Sequence, residues 1–352
     1  MKKIIATIVG LIAVLLGLLW FLQGADILQI RPILCFAGCD YIEGGSRFWE
    51  IAGALLFVLG IAVLTVSTSL VNWSTVFPPI REWYLGAEET TGTANLTIFF
   101  LLVAALSIPF YLLGISGARM PGLSFLPVNS LMTFVPMIAA MILVYRKLGL
   151  NGVKSLAKRA FDFNRMSAAS WVVVALLFML AVSSLEYIIL RFIGVSLPTP
   201  QIAASQASFA FIAFFIGAIG EELGWQGYAY PALRKKHGAL VAAIFLGLFW
   251  AFWHLIPYIQ LGQDTNWIFW QCLCAIALRI IIVWLYENTN QSVFIAVLFH
   301  TMINVSWLLY PITGSYYQPF VTFLILALAA GVIVFYFGPK MLKQTAGKSD
   351  GV

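Results

Sequence analysis

The sequence predicts an all-α polytopic membrane protein, and three observations carry that prediction. Of its 352 residues, 62% are hydrophobic and only 10% are charged, whereas soluble domains run at about 45–50% and about 25%. Apolar stretches close to the ~20 residues that cross a bilayer recur about ten times along the chain. None of these stretches alternates polar and apolar residues as the strands of a membrane barrel do. Backbone groups in lipid must be satisfied internally, so the stretches are helices. The mean hydropathy of +0.95 agrees.

Taken in order, the spans are expected over 4–22, 48–71, 95–115, 129–145, 168–190, 208–231, 239–257, 268–286, 291–309 and 319–338. The first follows Met1-Lys2-Lys3. It is longer than a signal-peptide core and no small-x-small cleavage site follows, so it is read as a retained helix. With the second span it forms a two-helix hairpin over 1–72. The outer loop of that hairpin, "CFAGCDYIEGG", carries Cys35 and Cys39; their spacing leaves a disulfide and two free thiols both open. Residues 73–94, with "FPPIREWYLGAEETTGTA" and its Pro78-Pro79 pair, read as a cytoplasmic linker. The remaining eight spans occupy 95–342. Within that core the basic loop "YRKLGLNGVKSLAKRAFDFNR" is expected at the inner membrane surface, with 153–163 as an interfacial helix. Cys272 and Cys274, two apart on one helix, face different directions and read as packing residues. The polar tail 343–352 closes the chain.

Charge counting orients the spans. With the N-terminus cytoplasmic, fifteen of the twenty Lys and Arg residues fall on the inside. The outer loops hold only Arg31, Arg47, Arg119 and Arg191, and Arg279 lies within a span. That bias places both termini in the cytoplasm. The formal charge of +6 therefore sets topology and is not a nucleic-acid signature. The expected location is a cell membrane, of the bacterial inner-membrane kind.

Ionisable residues inside spans are costly and mark functional sites by default. Here they are Glu186, Glu221, Glu222, His254, Arg279 and His300. Glu221 lies sixteen residues before His237 in the turn "RKKHG", and His254 seventeen residues after it. In a helical hairpin closed at that turn both side chains stand about 24 Å from it, at about 1.5 Å per residue. His300 and Asn304 lie in the middle of their own span, so all four can meet at one depth. Residues four apart share a helix face. Glu222 is thereby paired with Gln226, Trp250 with His254, and His300 with Asn304, leaving Glu221 for the cleft. Glu186, near the outer end of its span, and Arg279, which can pair with Glu186 or Glu222, read as structural.

A carboxylate beside an imidazole can deprotonate a water, and a second imidazole with an amide can donate to a developing oxyanion. Glu221, His254 and His300 equally make a plausible zinc shell with water in the fourth position. The residues alone leave both forms of water activation open. A lone buried Glu or His is often a structural hydrogen-bond partner, but three such features at matching depth favour a site.

The segments "EELGWQG", "WAFWHLIP" and "FHTMIN" resemble the three signature segments of the CPBP intramembrane proteases. That family, also called Abi, includes CAAX prenyl endopeptidases and bacteriocin-processing or self-immunity proteins. The resemblance is strongest over 208–305 and extends loosely over 95–342. It implies an eight-helix core with a conical cavity, preceded here by the two-helix hairpin. It assigns water activation to Glu221 with His254, and the oxyanion to His300 with Asn304. Trp250 fits the aromatic position of the second segment. The family's first segment usually carries Arg where this chain has Gln226, which supplies no charge to Glu222.

The expected function is hydrolysis of a peptide bond in a membrane-associated peptide or protein, glutamate-type or metal-dependent, with the lipid bilayer as the other partner and no nucleic acid. The alternative is a weak or inactive protein of the same fold that acts in peptide or bacteriocin immunity or in partner binding. A proton- or ion-coupled transporter ranks last, because no interrupted inverted-repeat helices are evident.

Overall fold

The computed structural model describes residues 2–26, 29–30, 45, 50–57, 60–61, 96–120, 123–166, 168–202 and 204–341. Cys35, Cys39, the linker 73–94 and the tail 343–352 lie outside these residues.

The helices are α1 (Lys2–Gly24), α2 (Leu96–Gly114), α3 (Val135–Lys158), α4 (Ser170–Phe192), α5 (Ala204–Gly224), α6 (Tyr230–His237), α7 (Ala239–Gln260), α8 (Thr265–Asn288), α9 (Val293–Leu309) and α10 (Pro319–Phe337). Among the described residues seven helical stretches are long and apolar enough to cross a membrane, and α9 is a shorter apolar helix of 17 residues. The protein is thus an all-α, multi-pass integral membrane protein. Among the described residues strands form two short pairs: Gln29–Ile30 with Gln201–Ile202, parallel, and Arg119–Met120 with Leu123–Pro127, antiparallel.

Two units can be distinguished. One groups 1–79, 166–214 and 301–317; the other groups 80–165, 215–300 and 318–352. In the first, α1 and the helical residues 50–57 approach so closely that Gly17 lies against the backbone of Phe57, and Gly53 against that of Phe21. Small residues permit such backbone contact between membrane helices. Glu186 is fully buried in α4, where the Tyr310 hydroxyl faces its carboxylate.

The second unit is built on close approach as well. A side chain on Gly220 would lie 2.7 Å from the Thr133 carbonyl oxygen, and one on Gly224 2.5 Å from the Pro136 backbone. These two glycines, one turn apart, press α5 onto the 3-10 turn Val128–Phe134 and the start of α3. Gly247 does the same between α7 and α8, where an added Cβ would stand 2.9 Å from the Ile276 Cα. Outward-facing apolar side chains such as Phe252, Leu328 and Phe335 are exposed, as suits a lipid-facing surface.

Several boundaries differ from those expected. The span placed over 129–145 starts as a 3-10 turn and then runs as α3 to Lys158, broken at Gly149 (φ 61°, ψ −159°). Only glycine adopts that conformation without strain. After that break the chain forms a second helical segment to Lys158 and a 3-10 turn over Arg159–Phe161, so 153–163 is largely helical as expected, with Arg159 buried within it. The span placed over 208–231 continues without a gap to His237, and its turn into α7 falls at Gly238 (φ 81°, ψ 170°).

Candidate active site

Between α5 and α6 the chain makes a π-helical segment, Trp225–Ala229, in which the Tyr230 amide donates to the Trp225 carbonyl five residues back. The wider turn shifts every side chain that follows off the 3.6-residue period, and such segments frequently mark functional sites. It falls on the "EELGWQG" stretch. The expected Glu222–Gln226 hydrogen bond is not made: Gln226 is fully buried and neither atom of its amide has a hydrogen-bond partner.

Instead Glu222 is paired across helices. Arg279, from α8, places its Nη1 2.8 Å and 3.1 Å from the two Glu222 oxygens. His300, from α9, places its Nδ1 2.8 Å from Glu222 Oε1. All three residues are buried. A carboxylate engaged by a guanidinium only accepts hydrogen bonds, so Nδ1 of His300 is the donor and Nε2 is left for another partner. Of the two partners left open for Arg279, Glu222 is the one it takes.

Glu221 has a different environment. Its Oε2 accepts from the Trp250 indole Nε1 at 2.7 Å and from the Trp225 Nε1 at 3.2 Å. Its Oε1 lies 3.2 Å from the Thr133 hydroxyl, which is also 2.9 Å from the Gly217 carbonyl. That hydroxyl has one proton and serves one acceptor at a time. All these donors are neutral. The two adjacent acids are therefore separated in kind: Glu222 is neutralised by a cation, and Glu221 is held by dipoles.

Trp250 joins the two. Arg279 Cζ sits 4.6 Å from its ring centroid, within the range of a cation–π contact. The same ring meets His254 and His300 edge-on, at 5.4 Å and 5.2 Å. Gly247, one turn earlier on α7, lets the Arg279 backbone come near enough for this; a Cβ there would be 3.2 Å from the Arg279 Cβ.

His254 is partly exposed. Its Nδ1 lies 2.9 Å from the Trp250 carbonyl oxygen. A carbonyl only accepts, so Nδ1 carries the proton and Nε2 is left as an acceptor. Tyr258 stacks on the ring at 5.7 Å, and Glu221 is within electrostatic reach. The helix around His254 is braced from α2. Pro257 has no amide proton to give the Trp253 carbonyl, and the Tyr111 hydroxyl donates to that carbonyl at 2.8 Å. The Trp253 indole in turn donates to Ser107 Oγ at 2.7 Å.

The start of α9 is fixed by Asp162. Its carboxylate accepts from Ser292 Oγ at 2.7 Å, Phe294 N at 3.0 Å and Val293 N at 3.2 Å. This caps the orphan amides of a helix that carries His300 about two turns on. Arg159 holds both neighbours in place, donating to Gly227 O in the π segment and to Gln291 O before α9.

Of the residues singled out from the sequence, Glu221, Glu222, Trp250, His254 and His300 come together. Asn304 is half-buried one turn beyond His300 on α9. Gln226 is adjacent in sequence but makes no hydrogen bond. Thr133, Trp225 and Tyr111 were not foreseen. Both imidazoles of the zinc shell expected from Glu221, His254 and His300 engage protein groups through Nδ1 and keep Nε2 for a ligand, as metal-binding histidines do, whereas both Glu221 oxygens already accept hydrogen bonds. Among the described residues no three His, Cys, Asp or Glu side chains converge on a metal position.

Comparison with known proteins follows the same stretch. Residues 203–306 match the family model for type II CAAX prenyl endopeptidases, Rce1-like. The chain is also 28% identical over 226 residues to a protein of Methanococcus maripaludis named CAAX prenyl protease 2, across 60% of this chain and 82% of that relative. These matches bear out the resemblance to the CPBP intramembrane proteases. Glu221, Glu222, His254, Arg279, His300 and Asn304 all lie inside 203–306.

Proposed function

We propose that the protein is an intramembrane endopeptidase in which Glu221 and His254 activate water for attack on a peptide bond. The observation that carries this reading is the separation of the two acids. Glu222 is bound by Arg279 and His300, so it is a structural anion. Glu221 has only neutral donors and no paired cation, with His254 within electrostatic reach.

In this mechanism the water oxygen adds to the scissile carbonyl carbon as Glu221 takes its proton, with His254 orienting the water. The carbonyl oxygen becomes an oxyanion, which His300 and Asn304 stabilise. With Nδ1 donating to Glu222, the donor to the oxyanion is the Nε2–H of the imidazolium form. Collapse breaks the carbon–nitrogen bond, and the proton held by Glu221 passes to the leaving nitrogen. Preorganised donors of this kind lower barriers because they need no rearrangement as charge develops.

The substrate is a membrane-associated peptide or protein. The name of the archaeal relative makes a prenylated CAAX peptide the first probe to try. Arg279 gives Glu222 a full counter-charge despite the neutral Gln226, which supports an active enzyme over an inactive binding protein of the same fold. The test is cleavage of a farnesylated CAAX peptide, and of membrane-protein fragments, by the purified chain in liposomes. Glu221→Gln and His254→Ala should each lower the rate by roughly 100-fold or more. Wild-type cleavage by both variants would refute the assignment.

A further inference from the structure

A carboxylate as deeply buried as Glu222 needs a cation and hydrogen bonds to stay charged. Its own helix does not provide the cation. Position 226 is a neutral amide whose two polar atoms have no partner. The charge arrives from another helix, on Arg279, which reaches both Glu222 oxygens. Arg279 is itself fully buried, and its Nε and Nη2 make no hydrogen bond. Two contacts tie its guanidinium to the site: the Glu222 carboxylate and the face of Trp250 at 4.6 Å. Each contact leads to a site residue. Trp250 donates to Glu221, and Glu222 holds Nδ1 of His300.

We propose that Arg279 is a positioning residue, supplying from α8 the charge that the "EELGWQG" segment lacks at Gln226, and that it sets the placement of Glu221 through Trp250 and of His300 through Glu222. The positioning half rests on the proteolytic reading above; the charge-supply half does not.

The test is a thermal-unfolding cycle on the full chain in detergent, joined to cleavage kinetics. Arg279→Gln strands a buried carboxylate and should lower Tm by roughly 5 °C or more. Combining it with Glu222→Gln should recover most of that loss, because neither charge is then left alone. Gln226→Arg in the wild type adds a second cation to one carboxylate and should lower Tm. An additive cycle, or a rise in Tm with Gln226→Arg, would overturn the proposal.

Arg279→Lys keeps the charge but cannot both span two oxygens and stack on an indole. It should hold Tm above that of Arg279→Gln while kcat falls about tenfold at near-constant KM. A wild-type kcat in Arg279→Lys would overturn the positioning half. The unfolding cycle needs no substrate, so its failure leaves the proteolytic reading standing. A wild-type protein that cleaves nothing would refute that reading and with it the positioning half, and the cycle would still decide where the charge comes from.

Discussion

Trp250→Phe isolates one hydrogen bond at the centre of the site. The indole N–H donates to Glu221 Oε2 at 2.7 Å, the shortest of the three contacts on that carboxylate. The benzene ring of phenylalanine keeps a face for Arg279 and an edge for both histidines, so the N–H is the main loss. A hydrogen bond to a charged group contributes about 1.5–3 kcal/mol. At about 1.4 kcal/mol per factor of ten in rate, complete loss would lower kcat by about 10- to 150-fold. Trp225 still donates to the same oxygen at 3.2 Å, which keeps Glu221 partly oriented and places the expectation at about 10- to 30-fold. KM should change little, because the indole holds the base and not the substrate. The assay is steady-state cleavage of a fluorogenic membrane-anchored peptide in liposomes, at matched protein levels and with Tm measured alongside. Trp225→Phe, which removes the longer bond, should cost less. A kcat within twofold of wild type for Trp250→Phe, or a larger loss for Trp225→Phe, would refute the geometry assigned to Glu221.

Tyr111→Phe leaves the Trp253 carbonyl without a donor and should cost about 1–3 kcal/mol of stability. Pro257→Ala restores a backbone donor to that carbonyl, so Tyr111→Phe should cost much less in the Pro257→Ala background; equal costs in denaturation of the two backgrounds would contradict the bracing role. Gly224→Ala pushes a methyl into the Pro136 backbone, which has no side-chain freedom to yield. That overpacking should cost about 1–3 kcal/mol or more and show as a lower Tm, and a wild-type Tm would mean that α5 and α3 are less tightly apposed than described. Prolonged EDTA treatment should leave cleavage unchanged; a loss reversed by added zinc would assign water activation to a metal held by Glu221, His254 and His300.

The membrane helices and the residues that meet among them were legible because both rest on simple regularities. Apolar length defines a span, and equal distances from the "RKKHG" turn bring Glu221 and His254 to one level. What the sequence hid has specific physical causes. Glu186 and Glu222 were both open as partners of Arg279, and the choice of Glu222, 57 residues away, was hidden because periodicity within one helix says nothing about which neighbouring helix faces it. The Glu222–Gln226 pair was expected from a 3.6-residue period that the Trp225–Ala229 segment does not keep. Arg159 was counted as a topology-setting cation, yet it is buried and bonded to backbone carbonyls. Other signals were present and unused. Gly220 and Gly224, four apart, announce a close helix contact. Pro257 announces a carbonyl at Trp253 in need of a donor.

The central position of Arg279 bears on how the protein is made. It is the fifteenth residue of the 24-residue helix Thr265–Asn288, where an arginine costs about 2.5–3.5 kcal/mol to insert into a bilayer. Synthesis runs from the N-terminus, so Glu222 has already left the ribosome when Arg279 emerges. A helix that is reluctant to enter lipid alone meets its counter-ion as it arrives. Insertion of that span and assembly of the acid cluster then become a single event during biogenesis, and a chain without Glu222 should be one that the cell fails to integrate before it is one that fails to function.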